Sequence, residues 1–324
     1  QICDWIKLAV QNEFGPEDLT SSFKEALEIL IDEWSQINNT ALKRIEPIGN
    51  GYDRYYLEPN RYSYSNAILL TNLFFEVSKA QKGNESNFRQ KLNVIQSQFP
   101  KTKEIQEYLS EGIHSVPHSA IYIQTYQPHY RIISHIDSIM LPLYHYIQKI
   151  IEQKPTAIIA IDGRCGSGKT FLSERIAKFF GMEIVHIDDF YIPKAERPED
   201  WTNKPASHIS YERLSKELLE PLFENRTGVY RPFICRIQDF GQERCVERKS
   251  PILVEGSYSL HPNLTDFYDA TIFINADYET RMTRLKEREG NRFSMFETTW
   301  IPLEEMYLNA FSIPKINTYN FTNN

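Results

Sequence analysis

The stretch "AIIAIDGRCGSGKTFLSERIAKFF", Ala157 to Phe180, decides how the chain is read. An apolar, β-prone run leads into Gly163, four residues separate it from Gly168-Lys169-Thr170, and an amphipathic pattern of Phe171, Leu172, Ile176, Phe179 and Phe180 follows. Strand, loop and helix in that order give the GxxxxGKT pattern its physical meaning. Glycines let the backbone curl until successive N–H groups point inward, and the helix start adds the positive end of its dipole, so the loop is an anion cradle. On this reading Gly163, Cys165, Gly166, Ser167, Gly168, Lys169, Thr170 and Phe171 hold ATP. Lys169 reaches the β- and γ-phosphates and Thr170 offers its hydroxyl to Mg²⁺. Cys165 occupies a variable position of the loop.

Downstream, the apolar runs "EIVHI", "ILVEG" and "TIFINA" alternate with helical segments, the texture of buried parallel strands. The expected fold is therefore α/β: an open parallel sheet flanked by helices. Glu255 ends one such run, where an acid can hold a Mg²⁺ shell. In "VHIDDFY", Asp188 and Asp189 stand at the carboxyl end of the presumed second strand, where open parallel sheets bind their ligands. An acid there can accept the proton of an attacking hydroxyl, a role given to Asp188; Asp189 is read as a turn residue. The segment "DYETRMTRLKEREGNRFSMF" carries Arg281, Arg284, Arg288 and Arg292, and Arg288 and Arg292 are assigned to a lid that clamps phosphates. The interleaved Glu279, Glu287 and Glu289 would equally suit a solvated, salt-bridged helix.

A phosphate loop does not by itself name a reaction. The chain has no NKxD guanine signature, since "NKPA" at Asn203 lacks the aspartate. The stretch after Thr170 is also short for a remodelling ATPase, which leaves a small-molecule kinase as the leading reading.

The first half has a different texture. "SFKEALEILIDEW" places Phe23, Ala26, Leu27, Leu30, Ile31 and Trp34 on one helical stripe behind a Ser22/Glu25 capping pattern. Asn50-Gly51 between β-prone runs predicts a tight hairpin, helices are expected over residues 63–81 and 88–99, and another from about 133 to 152, interrupted at Pro142. The expected organisation is a mostly helical domain with a β-hairpin over residues 1–130 and a phosphate-loop domain over 131–324. The tyrosine- and arginine-rich ribbon "GNGYDRYYLEPNRYSYS" could stack on bases or pack as an ordinary hairpin, and His114 and His118 read as a loop pair rather than a metal site.

With 43 acidic and 36 basic residues the net charge is −7, which argues against broad nucleic-acid binding. Four scattered cysteines fit a reducing, cytoplasmic setting. No run reaches the roughly 18 apolar residues of a membrane span, and the first residues lack a signal-peptide pattern. The chain begins at Gln1, so a preceding segment is conceivable. Homo-oligomerisation is left open.

The phosphate loop, "HIDDFYIP", "YRPF", "VEGSYSLHP" and "WIPLEEMYL", in this order, resemble the uridine kinase-like family of P-loop kinases over about Ala157 to Phe311. The resemblance implies an ATP- and Mg²⁺-dependent kinase acting on a hydroxyl of a small nucleoside-like metabolite. It implies Asp188 as the base, as first aspartate of the D-x-F-Y pattern, and Tyr191 as a wall of the acceptor pocket. Asn203 stands where the family's sugar-gripping acid is expected, and Tyr230 resembles a base-stacking tyrosine. The histidine expected after it is absent; Arg231 and Arg236 are near instead and would suit an acidic or phosphorylated acceptor. The competing reading is a nucleotide-sensing regulator whose N-terminal half binds a partner or DNA.

Overall fold

The computed structural model describes residues 1–16, 22–38, 44–80 and 83–324. The chain forms two compact units, Gln1–His145 and Tyr146–Asn324. The division falls inside the helix expected to lead the second domain. Part of the predicted helix 63–81 lies outside the described residues, at position 81.

In the first unit, helices α1 (Ile2–Phe14), α2 (Phe23–Gln36), α3 (Tyr64–Ala80), α4 (Glu85–Gln98), α5 (Glu104–Glu111) and α6 (Ala120–Tyr126) accompany strands β1 (Ile45–Gly49), β2 (Tyr52–Tyr56) and β3 (Tyr130–Ser134). The Ser22 side chain caps α2 by accepting from the Glu25 N–H, as its sequence pattern suggests. Asn50 and Gly51 both take positive φ, the backbone a two-residue hairpin turn requires, and β1 and β2 pair antiparallel around them. The predicted hairpin is therefore present, extended by β3 on the outer side of β2, a pairing partner 74 residues away in sequence that no local signal announces. Of the ribbon's residues, Tyr55 and Arg54 are buried, while Tyr62 and Tyr64 are exposed.

Helix α7 (His135–Gln153) runs unbroken through Pro142, contrary to the expected interruption. Burial of Met140, Leu141, Leu143 and Tyr144 around the proline supplies apolar stabilisation that outweighs the missing backbone hydrogen bond.

The second unit is built on β4 (Ile158–Gly163), β5 (Glu183–His186), β10 (Ile252–Glu255), β11 (Ala270–Asn275) and β12 (Tyr319–Thr322), all parallel in the order β12-β11-β4-β10-β5. Every residue of β4 and β10 is buried, which explains why these strands read as unbroken apolar runs rather than alternating ones. Between β5 and β10 lie the helical run of α9 (Tyr211–Arg213) and α10 (Glu220–Phe223), joined by a π-turn. Two small ribbons follow, β6 (Gly228–Tyr230) with β9 (Arg244–Val246) and β7 (Phe233–Ile234) with β8 (Asp239–Phe240). Helix α8 (Lys169–Phe180) follows β4, α11 (Tyr278–Glu289) follows β11, and α12 (Phe293–Met295) and α13 (Ile301–Phe311) precede β12. The chain goes from β4 to β5 on one side of the sheet and from β10 to β11 across to the other. This makes the carboxyl end of β4 the switch point where such sheets bind ligands. No described helix is long and apolar enough to cross a membrane.

Candidate active site

Backbone register assembles the site. Glu255 at the end of β10 lies opposite Ile161 of β4 on one side and His186 of β5 on the other, so the phosphate loop, Glu255 and the aspartates after His186 leave the sheet along one edge. The loop itself runs from Gly163 to the start of α8 at Lys169, with Gly168 in left-handed backbone before the first helical residue. Glycine at 163 is dictated by crowding, because a Cβ there would lie 2.1 Å from the Ile274 carbonyl oxygen. At Gly166 a Cβ would meet the Arg281 carbonyl at 2.6 Å, and φ is +76°, so side chain and backbone both exclude other residues.

Neighbouring elements brace the loop. The Cys165 N–H donates to the Glu304 carboxylate at 2.8 Å, Ser257 donates to the same carboxylate at 2.7 Å, and the Ser167 N–H donates to the Arg164 carbonyl. Arg164 in turn pairs with Glu305. Asn323, just after β12, donates from its side chain to the Ser167 carbonyl and receives Arg284 on its own carbonyl. Burial, with Glu304 beside it, pushes the Cys165 thiol up to about 12, so it is no nucleophile at neutral pH. All four cysteines are free.

Behind the loop, Asp162 is fully buried and accepts from the N–H groups of Gly163, Tyr258 and Leu260 and from the Tyr307 hydroxyl. Burial outweighs these donors and carries its pKa up to about 6. It ties the loop to the segment after β10 and to α13.

In front of the loop, the Thr170 hydroxyl approaches the Glu255 carboxylate at 3.4 Å, and His186 contacts the other Glu255 oxygen at 2.5 Å. That hydrogen bond raises the His186 pKa. Asp188 is the second residue of a short 3-10 turn, Ile187–Phe190; it reaches solvent, yet protein packs closely around it. That surround, and then the Glu255 charge, raise its pKa, with Lys169 and His186 opposing. Asp189 differs: its carboxylate accepts from the Tyr230 hydroxyl at 2.9 Å and sits 3.5 Å from Arg244, a structural tie that separates the two adjacent acids.

The other residues singled out from sequence are placed as follows. Phe171 is largely exposed and Tyr191 half-buried beside Asp188. Tyr230 is 2% exposed, its ring against Phe190, which leaves no free face for stacking in this conformation. Asn203 is exposed, and the Arg231 guanidinium donates to the carbonyls of Gly241 and Phe240. Arg288 and Arg292 both point to Glu289 and lie largely in solvent. The arginines of α11 that meet the loop are instead Arg284, through Asn323, and buried Arg281, 3.4 Å from the Cys165 carbonyl. Spacing of three along a helix marks Arg281 and Arg284 as one face, but only the packing of α11 decides which face meets the loop.

Residues that sequence reading passed over include Asp162, Glu304 and Arg197. Asp162 directly follows the apolar run "AIIAI" and Glu304 lies in "WIPLEEMYL", where nothing along the chain marks an acid as a brace; Arg197 lies in a polar loop with no periodicity to mark it.

No family model and no curated protein matches the chain. Among solved structures it is similar to one described as a "Possible Uridine Kinase" from Bacillus stearothermophilus, at 18% identity over 57% of this chain and 98% of that one, with a TM-score of 0.46. It is also similar to a protein provisionally described as a fructose transport system kinase from Silicibacter sp. TM1040, at 17% identity over 56% and 97%, TM-score 0.45. A gluconokinase from Sinorhizobium meliloti 1021 shares 16% identity over 52% and 83%, TM-score 0.30.

Proposed function

We propose that the chain is an ATP- and Mg²⁺-dependent kinase that transfers the γ-phosphoryl group to a hydroxyl of a small nucleoside-like metabolite. The observation that carries the reading is the convergence of the phosphate loop, Glu255 and Asp188 at the carboxyl edge of one parallel sheet. In this reading the loop amides and Lys169 hold the phosphates. The acceptor hydroxyl oxygen attacks the γ-phosphorus, the bond to the β,γ-bridging oxygen breaks, ADP departs, and Asp188 takes the hydroxyl proton. A raised pKa suits Asp188 to that task, since it strengthens the carboxylate as a proton acceptor.

The Thr170 hydroxyl and Glu255 carboxylate, 3.4 Å apart, are hard oxygen donors of the kind Mg²⁺ prefers. Among the described residues no group of three His, Cys, Asp or Glu side chains could hold a metal alone, which fits an ion shared with substrate phosphates and water. Bound there, Mg²⁺ would neutralise phosphate charge. The Arg281 and Arg284 side of α11 is the better candidate for charge stabilisation in the observed arrangement, with Arg288 and Arg292 requiring a lid movement to take part.

The test is turnover: purified protein with Mg²⁺-ATP and a panel of hydroxyl metabolites, phosphorylated product detected by mass. Product with at least one acceptor is expected. Tight ATP binding with no product from any acceptor would overturn the kinase reading in favour of a nucleotide-sensing regulator.

A further inference from the structure

Resting on the kinase reading, which it deepens, we propose that Arg197 and the rings around it form an anion subsite for the acceptor. The hydroxyl to be phosphorylated is then carried by a metabolite that also bears a carboxylate or phosphate.

Two observations meet here. The Arg197 guanidinium lies 5.0 Å from the Trp201 ring centre and 5.7 Å from that of Tyr191, and its Nε donates to the Ile192 carbonyl at 2.9 Å. None of the ion pairs among the described residues involves it, whereas Arg213 and Arg244 in the same unit are paired with Glu217 and Glu183. Ring stacking and one backbone bond thus orient the guanidinium, while its two terminal nitrogens have no acceptor among the described residues. A half-buried, pre-oriented fork of this kind matches the two oxygens of a carboxylate or phosphate.

Independently, His208 is fully buried among Tyr258, Tyr191, Trp300 and Trp201, at ring-centre distances of 4.7, 5.3, 5.6 and 5.7 Å, and neither ring nitrogen has a hydrogen-bond partner among the described residues. A buried polar group left unpaired is costly and calls for an explanation. Burial, then the Arg197 charge, pull its pKa down to about 3, so it is a neutral ring with one donor and one acceptor, suited to hydroxyls. Position links both groups to the chemistry. Tyr191 follows the Asp188 turn directly, bridges to Ile209, and the Ile192 N–H donates to the His208 carbonyl at 2.9 Å. The base, the fork and the neutral imidazole are therefore borne by two mutually braced segments, with the half-buried rings of Trp201 and Trp300 packed against His208.

The experiment is calorimetric titration of the protein, its phosphate loop saturated with ADP, by ribonate, ribose 5-phosphate and neutral ribose. At least one anion is expected to bind saturably and ribose not. Arg197→Met should weaken that binding about tenfold to hundredfold, and Arg197→Lys should recover only part of it. His208→Phe, which keeps the ring packing, should weaken the same binding severalfold. Binding of ribonate alone assigns a carboxylate, of ribose 5-phosphate alone a phosphate. Absence of binding by both anions, ribose binding as well as they do, or anion affinity unchanged in Arg197→Met would overturn the subsite. Product formation with ATP is read separately: anion binding without product removes the kinase reading and leaves the anion site, while product without anion preference does the reverse.

Discussion

The first unit also holds a cluster of buried and half-buried polar groups, and its contrast with the sheet-edge site is instructive. There Asp4 accepts from the Ser119 N–H and contacts His118, His118 reaches the Tyr130 hydroxyl at 2.8 Å, Tyr130 meets Gln11, and Gln11 accepts twice from Arg54. Arg54 and Tyr56 then converge on Glu46. Hydrogen bonds give each member of this network a protein partner, and they draw the Asp4 pKa well below the usual carboxylate range even though burial pushes the other way. At the sheet edge the opposite holds: the Asp188 pKa is raised, and among the described residues neither His208 nitrogen has a partner and Arg197 has no counter-ion. A closed network stabilises a fold; the open one is what the proposed acceptor would complete. His118, considered as a metal ligand beside His114, belongs to the closed kind.

The largest test of this contrast is Asp188→Asn. Transfer should fall by a factor of about 10² to 10⁴ while ATP binding remains, measured as kcat and nucleotide Kd. The variant should also unfold at the same or higher urea concentration at pH 7. The sign follows from the raised pKa: the fold favours the protonated acid, so stability falls as pH rises from 3.8 through the folded value, and a neutral amide escapes that loss. Loss of stability with activity retained would place Asp188 among the structural residues.

Next, Asp162→Ala strands three N–H donors and a tyrosine hydroxyl and should cost at least about 3 kcal/mol by urea unfolding, with transfer lost as the loop loosens. Gln11→Leu, in the closed network, should cost about 1 to 3 kcal/mol and leave kcat/KM unchanged. A rate effect from Gln11→Leu would break the comparison. The smallest effect is on pH dependence: the acidic limb of kcat/KM should lie above 3.8, because the proton-accepting form of Asp188 is lost as pH falls through its raised pKa.

Much of the second unit was legible in the sequence because its cues are local. A buried parallel strand reads as an apolar run, a phosphate loop as spaced glycines, and "ILVEG" as a strand with an acid at its end. The hairpin at Asn50-Gly51 was legible for the same reason. Strand β12, "YNFT", was not, since alternate residues face solvent and its stability comes from pairing with β11. Nor was the fate of the arginines: Arg281, Arg284, Arg288 and Arg292 look alike along the chain, and only packing turns the first two to the loop and leaves the last two with Glu289.

The sequence by itself determined that a phosphate loop joins a buried strand to a helix, that acids end the neighbouring strands, and that the first half follows a different, mostly helical pattern. These are short-range consequences of backbone conformation and hydrophobic period. The tertiary structure alone decided strand order, that Asp189 is tied to Tyr230 and Arg244, that Tyr230 is a buried strut, and that Arg197 and His208, without polar side-chain partners among the described residues, pack around Tyr191. Those properties depend on which side chains meet across the fold, and hydrogen bonding and charge balance are settled by such meetings rather than by spacing along the chain.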